Sequence, residues 1–349
     1  MNFRRYLRQA GSVGLLLLIV SGYALAQSVT LRGAGSTFAA PIYTQWFAEY
    51  KKETGVSVDY QAVGSGAGIN ALKNRTVDFG ASDAPLTDSD LKQMPFPVVQ
   101  IPTLGGAVVM TYNLPGVGSG LRLTPEIIAD IYMGKIKKWN DPRILAINFI
   151  KNLPDLPIHP VHRSDASGTT YIFTSFLTKA VPEWAKQIGS GKSVSWPVGI
   201  GGQGNPGVTA NIMRTKGGFG YVELAYAIQN HLPLASVRNA AGNFVTPSVT
   251  TTNIAIGQYI GALKKDIRTP TVYAPGVNSY PICGLTYVLI YQHGGSNPGP
   301  VTKLFSWAMG KKAQEMGEKL YYAPLPPSLI KLNLAALKTV QGAQVAIGP

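Results

Sequence analysis

A short strand that ends in a glycine-rich turn carrying Ser or Thr, and then runs straight into a helix, recurs along this 349-residue chain. In the first copy an expected strand over 28–31 leads through Gly33-Ala34-Gly35-Ser36-Thr37-Phe38 into a helix over 39–52. There Ile42, Trp46, Phe47 and Tyr50 fall at helical spacing, and Gly55 supplies the stop. In the second copy an alternating strand over 56–60 precedes Gly64-Ser65-Gly66-Ala67-Gly68 and a short helix through Ile69 and Leu72. In the third, a strand over 158–162 feeds Arg163-Ser164-Asp165-Ala166-Ser167-Gly168-Thr169-Thr170, with the apolar positions of an amphipathic helix behind it. The first amides of each helix lack intrahelical partners, and glycine lets backbone approach a ligand closely. The helix dipole favours an anion at that end, and Arg163 adds a full positive charge beside the third turn. A helix merely capped by Ser167 is the plainer alternative.

The remaining pattern keeps the alternation of strands and helices, which argues α/β architecture. Low-charge stretches over 98–101 and 106–112 read as two buried strands, 218–222 as another, and 285–291 as a long one. Thr124-Pro125-Glu126 opens a helix with Pro at its first position, and 254–263 reads as a single helix. Asp78-Phe79-Gly80-Ala81-Ser82-Asp83-Ala84-Pro85 is a short strand and a tight turn, in which Asp83 is either a site carboxylate or a cap for a helix starting near Asp88. Gly189-Ser190-Gly191-Lys192-Ser193 lacks the glycine of a phosphate-cradling P-loop, because Lys186 stands there and the preceding segment is helical. The run 199–207 lacks the acidic partner of a dinucleotide fingerprint, and reads as a loop leading to a helix near 208–214. His159 and His162 point to opposite faces of a strand, and no metal site is expected.

At the amino terminus Arg4, Arg5 and Arg8 precede an apolar run over 13–20 and the small-x-small triplet Ala24-Leu25-Ala26, so 1–26 reads as an export signal. The apolar run is short of the roughly 20 residues that span a bilayer. Without those three arginines, 28 of the 31 basic residues stand against 17 acidic ones. The basic residues are scattered and not interleaved with aromatics, which points away from nucleic acid and toward a general field that draws small anions. Cys283, the sole cysteine, precedes an apolar run and reads as a buried thiol without a nucleophilic role.

Together these motifs resemble the phosphate-binding component of the bacterial high-affinity phosphate ABC transporter. The resemblance covers nearly the whole chain after the signal. It rests on the three turns above, on Val77-Asp78-Phe79-Gly80-Ala81-Ser82-Asp83-Ala84-Pro85, on Gly134-Lys135-Ile136-Lys137-Lys138-Trp139 and on Gly220-Tyr221-Val222-Glu223. It implies a two-lobed type II periplasmic binding protein, with mixed sheets flanked by helices and the ligand cleft between the lobes. Lobe I would hold 27–107 and 285–349, and lobe II 108–284, with crossovers near 105–110 and 281–289.

The family's ligand contacts fall on Thr37, Phe38, Ser65, Asp83, Arg163, Ser167, Gly168 and Thr169, and Ser36 is counted with them. Ala166, where relatives carry Gly, is a departure that replaces no contact group. In this reading Thr37, Ser65, Ser167 and Thr169 donate hydroxyls, while Phe38 and Gly168 donate amides. Arg163 supplies the charged contact, held by Asp165, which does not itself touch the ligand. Asp83 accepts a proton from phosphate, which fully ionised sulfate cannot offer. The expected protein is a periplasmic monomer that delivers phosphate to permease subunits driven by a cytoplasmic ATPase, with no cofactor, no metal and no covalent chemistry. A secreted phosphatase, a receptor for another oxyanion and a free scavenger are the competing readings; against the first stands the lack of a nucleophile–base constellation.

Overall fold

The computed structural model describes residues 29–148 and 153–345, so the expected export signal lies outside the described residues. Eleven strands are seen among them: β1 (Thr30–Gly35), β2 (Ser57–Gln61), β3 (Phe79–Ser82), β4 (Val98–Tyr112), β5 (Arg122–Leu123), β6 (His159–Arg163), β7 (Ile200–Gly202), β8 (Gly218–Glu223), β9 (Ser236–Arg238), β10 (Phe244–Val245) and β11 (Cys283–Tyr291). Eight of them form one mixed sheet in the order β2-β1-β3-β11-β4-β8-β6-β7, and β10-β9-β5 form a small second one. The outer strands pair in parallel, β1 with β2 and β3 on one side, and β6 with β7 and β8 on the other. The two central strands run antiparallel to their neighbours.

β4 carries the sheet from one half to the other. Its residues up to Ala107 pair with β11, and from Val108 onward they pair with β8. The sequence reading expects two strands here, over 98–101 and 106–112, with Pro102, which has no amide proton to donate, in the gap. The strand instead continues for 15 residues, because the register against β11 shifts between Thr286 and Tyr287, opposite Pro102. The Pro102 carbonyl accepts from Asn333 Nδ2 at 2.7 Å. Two further expectations need correction. The run read as a loop over 199–207 holds β7, and its helix begins at Gly204 (Gly204–Arg214). The single helix expected over 254–263 is two, Val249–Gly257 and Ile260–Leu263; the first starts early because Ser248 and Thr251 cap it reciprocally.

Helices cover both faces and bury a continuous core. On the β1 side it is aromatic, with Tyr43, Phe47, Tyr60, Phe79 and Phe305 in edge, tilted or stacked contact. Beside β6 and β8, Phe173 stacks on Tyr221 at 4.3 Å between centroids, and Trp196 stacks on His162 at 4.9 Å. Cys283 is fully buried, and burial pushes its thiol well above the usual range. Each half thus has its own packed support for the strand ends, which carry the turns singled out above.

Candidate functional site

The carboxyl ends of β1, β3 and β6 deliver their turns to one place, the edge where ligands bind in open α/β sheets. Asp83, one residue beyond β3, is buried and receives the Ser36 hydroxyl at 2.5 Å and the Thr286 hydroxyl at 2.8 Å, both on Oδ1. Ser65 Oγ lies 3.4 Å from Oδ2. Burial raises the Asp83 pKa to about 6, against the opposing pull of those hydroxyls and of Arg163. The alternative role as a helix cap does not hold, because Thr87 and Asp90 form the capping box of the helix Asp88–Lys92.

Ser65 joins the two halves of the molecule. Its oxygen accepts the amide of Asp83 at 3.2 Å and that of Gly168 at 3.1 Å. Close by, the Gly66 amide donates to the Ala166 carbonyl at 2.8 Å. Gly168 is needed for this approach, since a Cβ there would stand 2.5 Å from Asp83 Cβ and 2.6 Å from its amide nitrogen. Gly64 is needed twice over: its φ is +97°, and a side chain would collide with the Asp165 carboxylate.

Arg163, at the end of β6, is almost wholly buried. Its Nε and one terminal nitrogen hold Asp165 at 2.7 and 2.5 Å, and the other terminal nitrogen donates to Thr169 Oγ1 at 3.2 Å. Two of its five N–H protons have no acceptor among the described residues. Burial opposes ionisation of Asp165, but the Arg163 hydrogen bonds and charge outweigh it and hold its pKa below the ordinary value. Ser167 caps the helix Gly168–Ala180, accepting from the Thr170 amide at 3.1 Å. The plain capping role therefore holds for Ser167.

The structure thus gathers Ser36, Ser65, Asp83 and Gly168 into one hydrogen-bonded chain, and Thr37, Thr169, Arg163 and Asp165 into an adjoining one. The hydroxyl proton of Ser36 goes to Asp83, so that residue supports the acid from behind. Thr37 and Phe38 keep amides without an acceptor among the described residues, while their carbonyls take the hydroxyls of Tyr226 and Tyr322, each at 2.6 Å. Sequence reasoning missed four participants. Thr286 sat inside an apolar strand, where one polar residue among Leu285 to Tyr291 was the available signal. Asn205, hidden in the glycine-rich run, donates to both Thr37 and Thr169. Tyr226 and Tyr322 follow no motif.

Glu223, quoted in a motif but given no role, is fully buried with Oε1 unpartnered. Burial raises its pKa well above the usual carboxylate range, against the pull of the Ala225 amide and the Tyr322 hydroxyl.

The assembled site brings together buried hydroxyls, backbone amides and a guanidinium, with the buried acid Asp83 among them. That combination suits a small oxyanion carrying a proton. Comparison with known proteins agrees with this chemistry. The PBP superfamily domain matches residues 21–310. A phosphate-binding protein PstS of Pasteurella multocida is 41% identical over 331 residues, spanning 93% of this chain and 95% of its own. The PstS protein of Xylella fastidiosa is 41% identical over 308 residues, covering 87% of this chain and 84% of its own. Among solved structures, a high-affinity periplasmic phosphate-binding protein (PfluDING) bound with phosphate superimposes with a TM-score of 0.70 at 20% identity, over 92% of this chain and all of that one. A phosphate-binding protein from Stenotrophomonas maltophilia gives 0.66 at 20% identity, over 90% and 96%. With the fold, the convergent turns and these relatives in agreement, the chain belongs to the PBP superfamily and, within it, to the PstS phosphate-binding proteins.

Proposed function

We propose that the protein captures inorganic phosphate at this site and hands it to the permease subunits of an ABC transporter powered by a cytoplasmic ATPase. It acts as an exported, periplasmic monomer whose leader, 1–26, is removed, and it performs no covalent chemistry. The relatives it matches are named for phosphate binding, and no helix among the described residues is long and apolar enough to cross a membrane. The lobes are 27–107 with 285–349, and 108–284; they close by a hinge where β4 changes partners.

One observation carries the reading. Asp83 is a buried acid placed among donors, against the Ser65 hydroxyl and the amide-rich start of the helix Gly168–Ala180. A carboxylate facing an anion is repulsive unless the ligand gives it a proton. Phosphate at neutral pH has one to give and sulfate has none. A site built on such a hydrogen bond rejects the analogue lacking it by about 10⁴–10⁵. The phosphate would take the hydroxyls of Thr37, Ser65, Ser167 and Thr169, the amides of Phe38 and Gly168, and the two unsatisfied N–H protons of Arg163. Ser65 and the Gly168 amide bond each other across the site, and would exchange that bond for the anion. Calorimetric titration of the purified protein with phosphate and then sulfate tests this. Tight phosphate binding with no measurable sulfate heat is expected; equal affinities would end the role of Asp83.

A further inference from the structure

The hydroxyl oxygens of Thr37 and Thr169 are both full. A hydroxyl oxygen has two lone pairs and one proton. Thr37 Oγ1 receives the Asn205 amide at 3.1 Å and Asn205 Nδ2 at 3.0 Å. Thr169 Oγ1 receives Asn205 Nδ2 at 3.0 Å and the Arg163 guanidinium at 3.2 Å. The side-chain amide of Asn205 cannot be turned over, because its Oδ1 accepts the Glu223 amide at 2.9 Å and must face that donor. One side chain, buried and fully bonded, therefore fills an acceptor position on each of two hydroxyls contributed by different turns, the Asn205 backbone amide and Arg163 filling the others.

We infer that Asn205 is a positioning residue, which makes the Thr37 and Thr169 hydroxyls obligate donors toward the bound anion. This rests on the phosphate reading of the site and deepens it. Left alone, a threonine hydroxyl is both donor and acceptor, and can greet a protonated or an unprotonated ligand oxygen. With its lone pairs filled it can only donate, so this side of the site takes bare oxygens. The ligand's proton is then directed to Asp83, the acceptor left in the cluster. Asn205 in this way sets which way round a protonated oxyanion sits, without touching it.

The test is a double-mutant cycle on the full-length secreted chain, with inorganic phosphate titrated calorimetrically. Asn205→Ala should weaken phosphate binding roughly ten- to a hundredfold in the wild-type background. In a Thr37→Val/Thr169→Val background the same substitution should change affinity less than about threefold, because no hydroxyl is left to orient. Asn205→Asp supplies a second cycle that does not depend on the alanine variant folding well. It keeps the shape and the bond to the Glu223 amide, but invites both hydroxyls to donate to it. It should be worse than Asn205→Ala in the wild-type background, and should lose part of that excess when the hydroxyls are gone, leaving only charge repulsion. If Asn205 merely fills space and ties down Glu223, Asn205→Asp will be the milder variant and losses will be equal in both backgrounds; either result overturns the inference. A wild-type protein that binds no phosphate would instead defeat the reading of the site, so the two failures are distinguishable.

Discussion

Asp83→Asn should make the ligand-free protein more stable while damaging what the site does. The ordinary aspartate pKa of 3.8 becomes about 6 in the folded state because the carboxylate is buried. At 1.36 kcal/mol per decade, that difference amounts to roughly 3 kcal/mol of destabilisation once the group is ionised. The sign follows from proton counts. Between pH 3.8 and 6 the folded chain holds a proton that the unfolded chain has lost, so stability falls as pH rises through this window and is flat above it. Asparagine removes the penalty but not without loss. Ser65 Oγ has both lone pairs filled by amides, so its proton faces Asp83 Oδ2, and an Asn amide nitrogen cannot accept it. That mismatch costs about 1 kcal/mol, leaving a net gain of about 2 kcal/mol at pH 8 and none in excess of the mismatch near pH 4. Urea unfolding of both proteins at pH 4.5, 6 and 8, without phosphate, measures this. With an m-value near 3 kcal/mol/M the midpoint of the variant should rise by roughly 0.5–0.7 M at pH 8. Phosphate affinity should fall, and sulfate should gain relative to phosphate. Parallel stability curves for the two proteins across the whole pH range would refute the buried-ionisation argument.

Three other outcomes are expected. Gly168→Ala forces the Asp83 backbone away from the helix start, an overpacking worth roughly 1–3 kcal/mol, so phosphate affinity should drop between about fivefold and a hundredfold by titration; unchanged affinity would mean this approach is not part of the bound state. Tyr226→Phe removes the 2.6 Å bond to the Thr37 carbonyl and should weaken phosphate binding by about fivefold, near 1 kcal/mol, with the fold intact by circular dichroism. Raising NaCl from 20 to 500 mM should slow phosphate association in stopped flow, since the basic surface is screened, while the dissociation constant changes far less than the tenfold expected of an exposed charged site.

How much of this was legible in the sequence depended on whether the signal was local. Turn chemistry is local, so Gly35-Ser36-Thr37, Gly64-Ser65 and Ser167-Gly168-Thr169 announced the three helix starts; the first and third fall within a residue or two of expectation, while the second begins at Ser65, inside the glycine run expected to precede it. Asp83 was legible as an odd carboxylate in an apolar stretch. What could not be read is whatever acts from far away in sequence. Thr286 lies 203 positions from the acid it bonds, and Asn205 lies 168 from Thr37. Their side chains look like an ordinary strand threonine and an ordinary loop amide until the sheet order is known. The gap expected between strands 98–101 and 106–112 closed for the same reason: the continuous pairing of β4 with β11, with its register shift opposite Pro102, is set by a strand about 180 residues away.

The charges around the site argue that hydrogen-bond direction, and not net charge, holds the ligand. Arg163 is matched by Asp165 at 2.5 Å, and burial works against a charge on Glu223 by raising its pKa well above the ordinary value. Asp83, with its pKa near 6, is mostly ionised at pH 7. The Arg163–Asp165 pair and Asp83 therefore bring no net positive charge to meet an anion, although the chain as a whole carries +14. A point-charge attractor would be built the other way, with an unpaired cation and no acid. Here the attraction has to come from amides and hydroxyls held in place by their neighbours, with the Ser65–Gly168 bond the one exchanged on binding, and it is little screened when buried. Such a site distinguishes anions by where their protons are. Adding positive charge by Asp165→Asn would then be a poor way to raise affinity, because it would free Arg163 from the fork that fixes its two remaining N–H donors.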